Sequence, residues 1–323
     1  LKNRIFAALA VGTSLLIGIS GCNQAAQQSQ EGKSENKAQQ AEWKDVNLQT
    51  QTKDGVVSLV FPDTKPPKDL VVQVLKEGTG AEVAAKDFVI ANYTGQVWGN
   101  EKHFDSSFKR GAPSGFSLER VIEGWTKGIA GHKVGSQLIV IVPPEMGYGK
   151  AGGNANAGIG ADDVIAFYVE IVDSYALNQA NDPNAVVEAD LQALPVAITG
   201  ENGKPAQVKV KDGQEPPKEP GITVISRGSG ALVQEKNASV YVQYAMSLWD
   251  NSVSESTYGK YGPQEVRMGD GSMFDVLKGI PIGSRVLITT PQIQESAKDK
   301  PAAILVDILG QLPQAELQDP AEK

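Results

Sequence analysis

The stretch PPKDLVVQVLKEGTG, beginning at Pro66, returns in altered form as PPKEPGITVISRGSG, beginning at Pro216. Gly78 and Gly80 fall on Gly228 and Gly230. Next in line, FVIANYTGQVWGN (88–100) lies over VYVQYAMSLWDN (240–251), which sets Tyr93 on Tyr244 and Trp98 on Trp249. GHKVGSQLIVIVPPE (131–145) lies over GIPIGSRVLITTPQI (279–293), and FYVEIVDS (167–174) over ILVDILGQ (304–311). Matches in one order at a nearly constant offset define an internal repeat. Such a chain is expected to fold as two similar units, and 323 residues suffice for two ordinary domains. The expected boundaries are 55–175 for the first unit and 205–323 for the second, with 176–204 as a linker between them.

Each unit reads as β-rich. Val72-Gln73-Val74 and Val89–Tyr93 alternate in the manner of half-buried strands. Leu138–Val142 is a continuous apolar run stopped by Pro143-Pro144, which predicts a strand buried on both faces, and Phe167–Val172 predicts another. Val121–Ala130 is long enough for a short helix with Trp125 on its inner face. The expected class is α+β, with an antiparallel sheet curled around one short helix in each unit.

The N-terminus, LKNRIFAALAVGTSLLIGISGC, has Lys2 and Arg4, then an apolar run from Ile5 to Ile19, then small residues before Cys22. Residues 1–21 read as a secretory signal peptide. Ile19-Ser20-Gly21-Cys22 resembles a bacterial lipobox, so Cys22 is the expected lipidation site and membrane anchor. Cys22 is also the chain's single cysteine, which excludes an intrachain disulfide. Residues 22–54 open on a Gln-, Ser-, Ala- and Lys-rich stretch without apolar periodicity and read as a lipidated flexible tether. The expected location is therefore extracytoplasmic, on a membrane. The formal charge of −8 argues against nucleic acid as a partner.

Residues 88–172 carry YTG at 93–95, FDSS at 104–107, F-x-L at 116–118, VIEGW at 121–125, G-x-x-x-G at 131–135, PPEMGYG at 143–149 and FYVEI at 167–171. In this order the first unit resembles the FKBP family of peptidyl-prolyl cis–trans isomerases. The resemblance implies an apolar pocket with Trp125 as its floor. Tyr93, Phe104, Phe116, Val121, Ile122, Ile159 and Phe167 would form its substrate-binding walls. It also implies that Ile122 N–H and the Tyr148 hydroxyl meet substrate carbonyls, and that Asp105 and Tyr148 are the catalytic groups. The expected partners are proline-containing exported polypeptides, with macrolides as a second ligand class. No cofactor is implied. The chain departs from the family at Ser114, where an aromatic is usual, and at Gly160, where proline is usual.

Other readings of these residues are blander. Asp-Ser-Ser alone is a common turn. His103 and His132 lack cysteine or carboxylate partners at ligand spacing and read as exposed residues outside any metal site. GKAGGNANAGIGADD (149–163) lacks the Lys-Ser/Thr of a phosphate cradle and reads as a mobile loop. In the second copy Phe104 and Asp105 are expected at Glu255 and Ser256, Tyr148 at Ser296, Phe167 at Ile304, and Trp125 at Met273 or Phe274. An inactive second unit follows. The leading function is a lipid-anchored prolyl isomerase that assists exported chains. The alternative is a surface-anchored chaperone or binding module with little turnover.

Overall fold

The computed structural model describes residues 48–295 and 298–313. The expected signal peptide, Cys22, most of the tether and Ser296 lie outside the described residues. Two antiparallel sheets carry the repeat. The first contains β3 (Val71–Lys76), β4 (Phe88–Val97), β5 (His103–Ser106), β6 (Ser114–Ser117), β7 (Gln137–Val142) and β8 (Ile165–Tyr175). Its order is β3-β7-β8-β4-β5, with β6 also on β4. The second contains β12 (Gly221–Arg227), β13 (Ala238–Leu248), β14 (Ser254–Ser256), β15 (Gln264–Arg267), β16 (Arg285–Glu295) and β17 (Lys298–Pro313). Its order is β14-β13-β17-β16-β12, with β15 on β13, so each of these six strands has a counterpart in the first sheet, and a seventh, short strand lies beyond β12. The paired glycines share one cause. A Cβ on Gly78 would lie 2.3 Å from the Val134 carbonyl oxygen, and one on Gly228 2.4 Å from the Ile282 carbonyl oxygen.

The helices differ between the units. The first has a four-residue helix, Ser107–Arg110, and the expected one, Glu123–Ile129. The second has only a 3-10 helix, Met273–Leu277, in that position. The cause is a shortening by two residues. Leu118 N–H bonds Asp87 and Met268 N–H bonds Ala238, and Gly131 N–H bonds Val83 as Gly279 N–H bonds Val233. The same landmarks are therefore spanned by less chain in the second unit.

Each sheet is covered on both faces. In β7, Leu138, Val140 and Val142 join the core under the helix, while Ile139 and Ile141 face the opposite way. That opposite face is closed by the hairpin of β1 (Gln49–Lys53) and β2 (Val56–Val60), which packs Leu48 and Leu59 against it. This accounts for the uninterrupted apolar run of β7. A second hairpin, β10 (Val196–Thr199) with β11 (Gln207–Val210), covers the second sheet in the same way through Val196, Val208 and Val210. The segment read as a linker, 176–204, is thus folded onto the second unit. Its β9 (Val186–Val187) extends that sheet beside β12, and Asn181 N–H donates to Asp307 at 2.9 Å. Asp307 in turn holds Arg285, both almost wholly buried, and Arg285 donates onward to the carbonyls of Gly200, Glu201 and Lys204.

The two units touch. Ile90 and Tyr175 of the first pack with Tyr241 and Leu309 of the second in one buried cluster. The Tyr175 and Tyr241 rings lie 5.7 Å apart.

Candidate functional site

The helix Glu123–Ile129 lies flat on β7 because two of its residues have no side chain. A Cβ on Gly124 would meet Val142 at 2.4 Å, and one on Gly128 would meet Val140 at 2.6 Å. This close seat brings Trp125, 4% exposed, into the concave face of the first sheet. Three aromatic rings meet it directly, and a fourth joins the set through Phe167. Trp125 meets Phe116 at 4.9 Å, Phe167 at 5.3 Å and Tyr93 at 5.4 Å, and Phe104 meets Phe167 at 5.5 Å. All four contacts are edge-to-face, an arrangement favoured by the ring quadrupoles.

Phe104 reaches this set through a β-bulge. On β4, Gly95 pairs with Asp105 and the next residue, Gln96, pairs with His103, so Phe104 is the extra residue. Gly95 makes room for it. A Cβ there would lie 2.5 Å from the Phe104 ring and 2.9 Å from Phe167.

A cavity of about 640 Å³ opens over these rings. Tyr93, Phe104, Phe116, Trp125 and Phe167 form its apolar part, with Val121 and Ile122 at the start of the helix. Asp105 and Tyr148 supply polar groups. Ile159, expected in the wall, does not line it. Its N–H and C=O both pair with Asn154, and its side chain is buried in the core. The segment expected as a mobile loop is built of two 3-10 turns, Gly149–Ala151 and Ala155–Ala157. Asn154 caps the second, and its neighbours Asn156 and Ala157 reach the cavity with it. These three and Arg120 were not anticipated. The polar run NANA amid glycines was the available signal for the asparagines.

Asp105 is held on three sides. Its carboxylate accepts from the Tyr93 hydroxyl and from Arg110, both in very short contacts, and from Ser106 N–H at 2.8 Å. Arg110 also donates to the Tyr93 hydroxyl at 2.9 Å and to Ser114 at 3.0 Å. Partial burial works to raise the Asp105 carboxyl, but the Tyr93 and Arg110 bonds outweigh it and hold it below the ordinary aspartate range. Burial, with the adjacent Asp105, pushes Tyr93 up to about 12, so its hydroxyl remains a donor. Ser114 thus anchors the arginine of this cluster.

Two donors face no internal acceptor. Ile122 precedes the helix in extended conformation, and its N–H bonds no other described residue. The Tyr148 hydroxyl, half-buried at the cavity, likewise has no partner among the described residues. His103 is not the exposed residue expected. It is half-buried under the β1–β2 hairpin and bonds Ser58 at 2.8 Å. Burial and Lys109 lower its pKa. No group of metal-ligating side chains occurs among the described residues.

The second unit differs at this place. Register sets Asp105 on Glu255 and Ser106 on Ser256, one residue from the alignment expected, because β14 lacks the bulge. Phe104 therefore has no counterpart. Phe167 falls on Ile304, since Gly95 pairs with the first and Met246 with the second. Phe274 is the buried aromatic of the 3-10 helix, with Met273 half-buried beside it.

A family model described as FKBP-type peptidyl-prolyl cis-trans isomerase matches residues 80–172, which lie within the first unit. The chain is 39% identical over 128 residues to the FKBP-type peptidyl-prolyl cis-trans isomerase FkpA of Escherichia coli (strain K12). That match takes in 40% of this chain and 45% of the relative, so the chain spans under half the relative's length. It is 33% identical over 114 residues to the FK506-binding protein of Streptomyces anulatus, covering 35% of this chain and 91% of that protein. The crystal structure of FkpA from Escherichia coli aligns with 45% of this chain and 59% of its own, at 30% identity and a TM-score of 0.33.

Proposed function

The chain belongs to the FKBP-type peptidyl-prolyl cis–trans isomerase family, and on that premise we propose that its first unit isomerises X-Pro bonds in the cavity over Trp125. The reaction needs no covalent chemistry. Resonance holds the amide planar behind a barrier of roughly 18–20 kcal/mol. The catalyst must bind the twisted amide better than either planar form. Twisting localises the nitrogen lone pair and weakens the carbonyl dipole, so an environment poor in water favours it.

The observation that carries this reading is the aromatic box with two unpartnered donors at its edge. The proline ring packs on Trp125 between Phe167 and Tyr93. Ile122 N–H and the Tyr148 hydroxyl each receive a substrate carbonyl and fix the chain on both sides of the rotating bond. Asp105 acts as an ionised, immobile dipole that faces the twisted carbonyl and does not transfer a proton. Phe104 and Phe116 close the box.

In this reading the chain is two FKBP-like domains, and the second has no turnover. Glu255 keeps an acid at the Asp105 position, but Phe104 and Phe167 are replaced by nothing and by Ile304. The substrates are proline-containing exported polypeptides, with macrolides as competing ligands. Anchoring through Cys22 rests on the sequence alone. Substituting Cys22→Ser should move the protein from the membrane fraction to the soluble one, and an unchanged distribution would count against the anchor. For the activity, proline-peptide exchange measured with Trp125→Leu should fall by at least tenfold, and full retention would remove the site.

A further inference from the structure

We propose that Arg120, together with Lys260 and Tyr261 of the second unit, makes the mouth of the pocket selective for polypeptides with a carboxylate beside the proline. The proposal rests on the prolyl-isomerase reading above. Arg120 lines the cavity, yet its partner lies in the other unit. Its guanidinium donates to the Lys260 carbonyl at 2.6 Å and stands 5.5 Å from the centre of the Tyr261 ring. The Lys260 ammonium lies 4.6 Å from the centre of the same ring. Two cations are therefore gathered on one aromatic side chain, of which Arg120 alone lines the cavity.

The turn that carries Lys260 and Tyr261 is firmly built. The Thr257 carbonyl accepts from the N–H groups of Lys260, Tyr261 and Gly262, and the Thr257 hydroxyl donates to Gln243 at 2.7 Å. Tyr258 donates to buried Asp307 at 2.6 Å. In the repeat this turn corresponds to the helix Ser107–Arg110, since Ser107 accepts from Tyr93 N–H as Thr257 accepts from Tyr244 N–H. Five residues beyond the acid, Arg110 clamps Asp105, whereas Lys260 forms no ion pair with Glu255, lays its ammonium on Tyr261 and accepts from Arg120 at its carbonyl. The second unit lacks the clamp, and its turn meets the first unit through the Lys260 carbonyl and the Tyr261 ring, both against Arg120.

Lys260 feels the Glu255 carboxylate through space, whereas Arg120 has no acid within ion-pair reach among the described residues. Asp105 is paired with Arg110, Glu119 with Lys86, and Glu123 with Lys127 and Lys150. Among the described residues, neither Arg120 nor Lys260 forms an ion pair. A chain with net charge −8 thus presents one unpaired guanidinium, Arg120, in the lining of the cavity. A carboxylate next to proline would meet the guanidinium as the ring enters the box. Arg120 is the specificity-determining residue, and Lys260 and Tyr261 position it.

The test uses the full chain and proline peptides that differ only in Glu, Gln or Lys beside the proline, on either side. At low ionic strength the Glu peptide should exceed the Lys peptide in kcat/KM by about fivefold on at least one side, with the difference in KM. High salt should remove the difference. Arg120→Glu should invert the order, Arg120→Lys should keep most of it, and Tyr261→Ala should narrow it. The readout is a ratio between peptides, so a general loss of activity in a variant cancels. Equal values for Glu and Lys peptides on both sides, or an order unmoved by Arg120→Glu, overturns the proposal. If no peptide is turned over, the isomerase reading fails separately. The same peptides are then titrated for binding by fluorescence anisotropy, where tighter Kd for Glu supports the selectivity and equal Kd refutes it.

Discussion

Asp105 is occupied before any substrate arrives. Its carboxylate serves Tyr93, Arg110 and Ser106 at once. Replacing it with asparagine keeps the shape but removes the charge that Arg110 neutralises, and leaves a cation at the cavity wall. Asp105→Asn should lower kcat/KM on a proline peptide by about tenfold with a smaller change in KM, because a fixed dipole acts mostly in the transition state. Exchange kinetics would check this. The pH dependence follows from two signs. The folded Asp105 lies below its ordinary value, so its contribution is complete above the ordinary carboxylate range and is lost as pH falls through the depressed folded value. Tyr93 is raised from 10.0 to about 12, so its contribution is complete below pH 10.0 and is lost as pH rises toward about 12. Thermal unfolding followed across pH should therefore show no loss assignable to Asp105 between pH 5 and 7, and a Tyr93-dependent loss only on the alkaline limb, absent in Tyr93→Phe.

The bulge in β5 explains both what the sequence disclosed and what it hid. Strand patterns such as QLIVIV and the repeated glycines were legible, because buried strands and close backbone contacts restrict residue type. The one-residue offset between Asp105 and Ser256 was not, because a bulge residue looks like any other strand residue in the sequence. The hairpins were hidden for another reason. β1 is QTQTK and exposed along its length, so it shows no apolar alternation, although Leu48 and Leu59 beside it are 2% and 3% exposed. Arg120 could not have been found at all, since its partner is 140 residues away. Gly95→Ala would force a methyl against Phe104 and Phe167. A cost of about 1–3 kcal/mol is expected from urea unfolding, together with weakened peptide binding as the rings are displaced. Leu59→Ala should cost about 2–5 kcal/mol by opening the covered face of the first sheet, with peptide turnover per folded molecule retained.

The two units are joined more closely than a tether would join them. Tyr175 and Tyr241 pack against each other across the boundary, and the segment 176–204 is fastened to the second sheet through Asp307 and Arg285. Breaking one partner of that buried pair leaves the other charge uncompensated, so Asp307→Asn should cost about 3–5 kcal/mol. It should also expose the chain near Gly200 to proteolysis, since Arg285 holds the carbonyls there. The second unit thus keeps the framework, lacks the aromatic box and meets Arg120 of the first unit's pocket through the Lys260 carbonyl. The division of labour is tested most directly by proline-peptide exchange catalysed by the full chain carrying Trp125→Leu or Tyr244→Phe. The account predicts that the first substitution abolishes most turnover and the second, at the equivalent of Tyr93, leaves it near the unaltered level. Retained turnover in Trp125→Leu, or its loss in Tyr244→Phe, would contradict it.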